Sequence, residues 1–523
     1  MRNGKIISGF LLRRSLCLLI VLCLGMTMTG CTGNGNEDRN PAPTLGPAEN
    51  RYPAPDGDET FGEEKDFAIY LPARNGLTLI KKNIRLRTAN LNETVETLVQ
   101  ALFDAPEDAE AFAVGSGRKL SLYEGRPVEI SGGVCTVDLS TSVLQLSHGD
   151  FYKTCVALAT TLCGLNEISF VNVLAADQSV GLDISGNLPM GSLTAHPGEN
   201  LPVLWEQMEA KRTPLGNDMS KNPLSSYATL YYPLPEGRGI GCENRLLTFE
   251  GQTPQQLASG LIEAIGSVKK NLAGTAGLCE IQDMLLHDPL TSELEDGGRL
   301  ITLSFRENVE ELLNGWQTDL SCLIAAVSYT LMTYIPGIAA ICVRIGDKPI
   351  TELTSSRFSP VTALGGLIRR AALEPYLMGT ASVYFIRDGR LCERTMPMER
   401  RNADSPRAQL RLLMEGPGAT ERAEGLASAL PPEVREDEIL GITVEGDTML
   451  INLSESFRAA IQAFGAEREA LVCYSMVNTL CVNSDVRRVR FFFEGEQVEE
   501  IAGTVYWAGE FLFNPALAES GLG

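Results

Sequence analysis

Thiols, hydroxyls and carboxylates are the residues of this chain whose spacing invites a chemical reading. Thirteen cysteines occur in 523 residues, against only three histidines, His148, His196 and His287, each in a different segment. Ten of the cysteines lie beyond Cys31, and in an exported chain that number suggests a disulfide framework. The internal copies set out below argue the other way. Cys155 and Cys473 align with Ile324, and Cys163 and Cys481 with Met332. A position that accepts Ile or Met is a packing site, so buried reduced thiols are expected, with room for a few disulfides. No CxxC and no cysteine–histidine cluster points to zinc, and no cofactor or metal site is expected. Ser140, Ser304 and Ser454 each follow a leucine at the end of a strand-like run. A nucleophile there needs a base, but only the first has a histidine near it, His148, so strand-ending or capping hydroxyls are expected. Asp138 aligns with Thr302 and Asn452, a drift that suits a turn and not a catalytic carboxylate. Glu293, Glu295 and Asp296 beside Gly297-Gly298 read as a solvated turn. GxSxG, P-loop and HExxH motifs are absent, and no enzymatic activity is expected.

The thiol with a distinct role is Cys31. Arg2, Lys5, Arg13 and Arg14 form a basic start, and residues 15–25 an apolar run too short to span a bilayer. Met28-Thr29-Gly30-Cys31 then resembles a bacterial lipobox, with a fit that is good at Gly30 and Cys31 and loose at Met28. Residues 1–30 are expected to be a lipoprotein signal peptide and Cys31 the lipidated residue. Residues 31–64, with Pro41, Pro43, Pro47, Pro53 and Pro55 and almost no large apolar side chain, are expected to be a disordered tether. The folded part would then lie outside the cytoplasm, held to the bacterial cell membrane through lipid on Cys31. The chain has 44 Lys and Arg against 66 Asp and Glu, a formal charge of -22. That balance excludes nucleic acid as a main partner.

The remainder repeats one unit three times. Its first strand reads Phe67-Ala68-Ile69-Tyr70, then Ala228-Thr229-Leu230-Tyr231, then Ala381-Ser382-Val383-Tyr384. An amphipathic segment follows, centred on Leu98, Leu261 and Leu413, then the strands that end at the three serines. Those serines stand 70, 73 and 70 residues after the tyrosines. A second amphipathic segment ends in Thr161-Leu162, Thr330-Leu331 and Thr479-Leu480. A β-rich run closes each copy. Val95, Leu98, Val99 and Leu102 share one helix face. The stripe Phe151, Cys155, Leu158, Leu162 is matched by Leu320, Ile324, Val327, Leu331 and by Glu469, Cys473, Met476, Leu480, so only Glu469 turns polar. Gly446-Asp447 reads as a tight hairpin turn.

These patterns predict an α+β chain of three tandem β-α-β-β-α-β two-layer units, with helices on one face of a small sheet. The expected units span 65–190, 227–354 and 380–515, the last with an aromatic C-terminal extension. Segments 191–226 and 355–379 are expected to be linkers, the second apolar enough to pack on a neighbour. Arg487, Arg488 and Arg490 line the last strand. They read either as a partner contact or as an edge strand guarded by charge. Tyr506, Trp507, Phe511 and Phe513 are expected to fold back on the third copy, with Trp507 the alternative centre of a docking patch.

The third copy resembles the GerM domain of sporulation and germination lipoproteins from endospore-forming bacteria. The resemblance rests on Val383-Tyr384-Phe385, Leu412-Leu413-Met414-Glu415-Gly416-Pro417, the run from Gly425-Leu426 to Leu430-Pro431, Ile451-Asn452-Leu453-Ser454, and Thr479-Leu480. The first two copies lack the Gly-Leu-x-Ser-x-x-Pro run, and the first has Ala105-Pro106 for Gly-Pro. The resemblance implies a non-enzymatic module, similar to ring-building motifs, with no catalytic residues to carry over. It implies a lipid-anchored scaffold in the cell envelope, possessing envelope or sporulation proteins as partners and capable of self-association. The alternative is an envelope lipoprotein that binds a small molecule or glycan in an interdomain cleft.

Overall fold

The computed structural model describes residues 53–60, 63–88, 90–182, 188–212, 218–266, 280–295, 297–316, 318–484 and 486–518. The expected signal peptide, Cys31, most of the tether, Cys279 and Asp296 lie outside them. Residues 54–523 form one compact unit. No helix among the described residues is long and apolar enough to cross a membrane.

A short strand, β1 (Asp58–Thr60), precedes the first copy. That copy is β2 (Glu63–Pro72), β3 (Leu79–Thr88), α1 (Leu91–Asp104), β4 (Val128–Ser131), β5 (Val134–Leu139), α2 (His148–Leu162), β6 (Phe170–Ala175) and β7 (Gln178–Ser179). Helix α3 (Leu201–Arg212) leads to the second copy. Here β8 (Leu224–Pro233), β9 (Ile240–Phe249), α4 (Pro254–Gly266) and α5 (Ile281–Met284) are followed by β10 (Leu290–Glu293), β11 (Arg299–Phe305), α6 (Val309–Leu313), α7 (Leu320–Tyr334), β12 (Ile338–Ile345) and β13 (Lys348–Pro349). The connection to the third copy carries β14 (Glu352–Leu353), β15 (Val361–Thr362) and β16 (Leu367–Ile368). The third copy is β17 (Met378–Arg387), β18 (Arg390–Glu399), α8 (Pro406–Glu415), α9 (Ala419–Ala423), β19 (Ile439–Glu445), β20 (Thr448–Leu453), α10 (Glu455–Phe464), α11 (Ala466–Val482) and β21 (Arg488–Phe493).

The class is α+β, but among the described residues the copies hold more strands than the four of the expected order: six in each of the first two and five in the third. The first strand is half of an antiparallel hairpin with two ten-residue strands: β2 with β3, β8 with β9, β17 with β18. In β3 the positions Lys81, Asn83, Arg85 and Arg87 face solvent while Ile84 and Leu86 pack on the core, an alternation interrupted on its inward side by Lys82. A second sheet follows in each copy. An antiparallel pair (β4–β5, β10–β11, β19–β20) is joined through a helix to a parallel third strand (β6, β12, β21). Local signals start the helices. Asn90 accepts the Glu93 amide at the start of α1, and Ser405 accepts the Ala408 amide before Pro406 opens α8.

The second helix packs on the first strand of the long hairpin in the same way each time. The Tyr70 amide donates to Thr161 Oγ1 at 3.0 Å, Tyr231 to Thr330 at 2.9 Å, and Tyr384 to Thr479 at 3.2 Å. The tyrosines and threonines that mark the repeat in the sequence are therefore direct partners. Thr330 Oγ1 also donates to the Ala326 carbonyl at 2.9 Å, so one hydroxyl serves helix and strand together.

The segments expected as linkers are packed. Leu193 bridges Val171, the Ser192 amide donates to Tyr227 O, and Leu201, Leu204 and Met208 of the α3 region are buried. One continuous apolar core runs from Ile69 to Met378 through the first and second copies, while a second core holds Ala381 to Phe511. Between the latter two copies, β16 pairs with β12 and Arg370, Leu373 and Tyr376 are buried. The end of the expected tether is also ordered, because β1 pairs in parallel with β19 of the third copy.

Replacing Thr330 by Val should leave the buried Tyr231 amide without an acceptor. Equilibrium urea unfolding should show a loss of about 1–3 kcal/mol, and Thr330→Ser a smaller one. Equal stability of Thr330→Val and the native chain would contradict the role given to this bond.

Candidate functional site

The sequence-marked hydroxyls and carboxylates do not converge. Ser454 caps α10 by accepting the Phe457 amide at 3.1 Å. Ser140 lies 3.0 Å from Ser121 and 2.7 Å from Ser142, and Ser304 is buried in β11. His148 opens α2, whose start Ser147 caps by accepting the Asp150 amide. Asp138 Oδ2 accepts the Asp177 amide at 2.8 Å, and Asn452 Oδ1 accepts the Gly495 amide at 2.9 Å. Both thus hold the turn that follows the third strand of their sheet. Burial pushes the Asp138 carboxyl up to about 7. Glu293 and Glu295 flank a hairpin turn closed by the Leu294 amide on Gly298 O. The nine described cysteines are free thiols. Burial pushes Cys163 and Cys481 up to about 11 and Cys242 up to about 12, which makes them poor nucleophiles. Among the described residues no group of His, Cys, Asp and Glu could hold a metal ion.

The C-terminal residues make a strap. Arg488 pairs with Asp447 at 3.2 Å, and Arg490 Nε meets Glu510 at 3.1 Å; Arg487 is exposed and its amide donates to Asp447 O. Trp507 is corrected from a candidate surface contact to a core residue. Its side chain is 0% exposed and packs on Phe491 and Phe493, with centroids at 5.2 and 5.6 Å. Its Nε1 donates to Glu469 Oε1 at 2.8 Å. Glu469 is itself buried and accepts the Ala502, Thr504 and Val505 amides at 2.9, 2.7 and 3.2 Å and the Thr504 hydroxyl at 2.6 Å. Sequence reasoning noted that this position turns polar but gave it no role. The signal was present, since Glu469 stands where the other copies have Phe151 and Leu320.

Burial alone raises the Glu469 carboxyl, but hydrogen bonds from Thr504, Ala502 and Trp507 outweigh it and hold the group below the usual range. A depressed carboxylate stabilises the fold above its unfolded value of roughly 4.3, and that contribution fades as pH falls through the lower folded value. Acid titration should therefore loosen the strap below about pH 4, seen as a change in tryptophan emission. Glu469→Gln should release it at neutral pH and flatten that titration; an unchanged emission profile would contradict the assignment.

A second buried charge sits where the copies meet. Arg370, 3% exposed, grips Glu129, 4% exposed, through both guanidinium arms, one of them at 3.1 Å. The guanidinium lies 4.4 Å over the Tyr329 ring, whose hydroxyl donates to Glu129 at 3.2 Å. Asp177 accepts Arg370 at 3.3 Å and Arg126 at 3.0 Å. Burial alone raises Glu129, but Arg370 first, then Arg400 and Arg126, hold it ionised. First copy, second copy and the 355–379 connection are joined at this point. The other junctions are also polar. Asp404 of the third copy accepts amides of Leu91 and Asn92 at the start of α1. Arg400 reaches Val128 O at 3.1 Å, and Glu236 of the second copy accepts the Ala419 amide. Each copy thereby touches both others. Between the first and third lies a cavity of about 550 Å³ lined by Asn90, Asn92, Ser131, Arg400, Asp404 and Asn483.

The site thus joins α+β units by buried polar contacts and leaves a cleft between two of them. Residues 382–499 match the Germane family model, described as sporulation and spore germination. The third copy is thus similar to a family described by a developmental process and not by a reaction. No curated protein matches the chain. Among solved structures, the tandem GerMN domains of the sporulation protein GerM from Bacillus subtilis match at 15% identity, over 55% of this chain and 96% of that one, with a TM-score of 0.20. The first GerMN domain of that protein matches at 14% identity over 25% and 98%, with a TM-score of 0.21. A Clostridium perfringens structure assigned as a lipoprotein matches at 17% identity over 26% and 87%, with a TM-score of 0.18.

Arg370→Met should cost about 3–5 kcal/mol by stranding Glu129 in the interior. Adding Glu129→Gln should restore a large part, measured by denaturant unfolding of both variants. Full additivity of the two losses would contradict a direct pair.

Proposed function

We propose that this chain is a non-catalytic, lipid-anchored protein of the extracytoplasmic envelope, built from three GerM-like units, that binds other envelope proteins in sporulation or germination. The observation that carries the reading is what the repeat keeps. Packing groups recur, as in the bond from Tyr70, Tyr231 and Tyr384 to the helix threonines. The polar position Asp138, Thr302, Asn452 changes type from copy to copy, as a scaffold permits and a shared reaction would not. The Germane domain supports the developmental setting, and the lipobox at Cys31 supports the anchor.

The tests are cellular. Cys31→Ala should move the protein from the membrane fraction to the soluble one. Deleting the gene in its sporulating host should lower the yield of heat-resistant or germination-competent spores. Normal spores from the deletion strain would remove the developmental part, and an unaltered membrane fraction would remove the lipid anchor.

The cleft between first and third copies favours a second reading, an envelope lipoprotein that takes a small molecule or glycan. Its volume falls within the range of ligand sites, roughly 300–1,000 Å³, and its lining offers amide, hydroxyl and charged groups. A ligand library in a thermal-shift assay separates the two, since a specific ligand raises the melting temperature and a pure scaffold gives no hit.

A further inference from the structure

Strand β1 is a guest in a sheet of another copy. Asp58, Glu59 and Thr60 run parallel to Ile442, Thr443 and Val444 of β19. Arg407 of α8 meets both Asp58 oxygens, Nε at 2.6 Å and Nη2 at 2.7 Å. The Ile442 amide reaches Asp58 Oδ1 and Gly57 O, each at 3.1 Å, and Asn452 Nδ2 donates to Pro55 O at 3.1 Å.

The host edge is shaped for this guest. A Cβ on Gly441 would come within 2.6 Å of Pro55 O and 2.7 Å of Gly57 N, so only glycine leaves the slot open. Arg407 is braced from the host side, because its Nη1 donates to Ile439 O at 2.8 Å. The second copy lacks both features. There Leu290, opposite Thr302, stands where Gly441 stands opposite Asn452, and Gln255 stands where Arg407 does. Its edge strand β10 is exposed along its length and has no guest strand among the described residues. Strand acceptance thus separates the third copy from the second.

The bond is also open to exchange. It spans three residue pairs, and the Asp58 and Arg407 side chains are 44% and 24% exposed. A short, partly solvated clasp of this kind is held in place chiefly by its covalent attachment.

We propose that the β19 edge with Arg407 is a peptide-recognition site for an extended Gly-Asp segment, and that residues 54–60 are its resident, displaceable occupant. The partner it fits is a protein presenting such a segment as an added strand, its aspartate on Arg407 and its glycine against Gly441. This deepens the interaction-protein reading and rests on it. It is tested on purified protein, so a failed titration removes the edge site and leaves the cellular tests of that reading standing.

In the full chain, residues 54–60 are replaced by a Gly-Ser spacer of equal length, and folding is checked by circular dichroism. A synthetic peptide of sequence 54–60 is then titrated. It should bind the spacer variant saturably and the native chain at least about tenfold more weakly. The same peptide carrying Asp58→Ala, or Arg407→Ala in the spacer variant, should weaken binding about tenfold or more. Absence of binding to the folded spacer variant, or equal binding to the native chain, would overturn the proposal. A stable complex between native chain and spacer variant would make a second copy the occupant and overturn the foreign partner. If the spacer variant does not fold, Gly441→Val in the native chain decides. Proteolysis at 54–60 should then rise severalfold; unchanged protection would sink the site.

Discussion

A backbone amide that has no strand partner constrains this molecule more than any single side chain. Each long hairpin has two strands, so its first strand turns one row of amides outward, toward the second helix of its copy. A buried amide without an acceptor costs as much as a lost hydrogen bond or more. The chain meets that demand three times with a threonine one turn or so from the helix end, at 2.9–3.2 Å. The bond fixes the helix against the hairpin in height and rotation. The apolar stripes of α2, α7 and α11 then close the rest of the gap.

With the units so defined, their assembly depends on charge placed inside. Glu129 and Arg370 are almost wholly removed from water, and so is Glu469. Buried ions of this kind add little net stability compared with apolar packing, but they tolerate few alternative arrangements. In this chain they sit at joints: Glu129 between copies, and Glu469 between the last helix and the strap that covers it. Asp404 at the start of α1 and the β1–β19 pairing add the joint between first and third copies. The result is a closed cluster in which the spacers between copies are part of the packing. A string of independent beads would leave residues 191–226 and 355–379 exposed.

Much of this was legible beforehand because it depends on local rules. Helix faces such as Val95, Leu98, Val99 and Leu102 announce themselves by period, and the Gly446-Asp447 turn by its conformational demand. The repeat was visible because copies must keep what packs. The second strand of the first long hairpin was missed because Lys82, on the inward side with Ile84 and Leu86, interrupts the alternation against the solvent-facing Lys81, Asn83, Arg85 and Arg87. The fold-back of the aromatic end was expected, but a docking patch at Trp507 stayed open as the alternative because nothing within a few residues shows what covers it, and its acceptor, Glu469, is 38 positions away.

The sequence by itself determined the α+β class, the three copies of strand and helix, and the packing character of the cysteines. Period, propensity and aligned substitutions are sufficient for those, since each is decided within one element or between aligned ones. Only the tertiary structure decided that the tether's end enters the last sheet, that Arg370 closes on Glu129 across 241 positions, and that Leu193, Leu201, Leu204 and Met208 of the first expected spacer are buried. Those outcomes turn on which distant groups meet out of water, and no local pattern records the partner that a buried charge or an open strand edge will find.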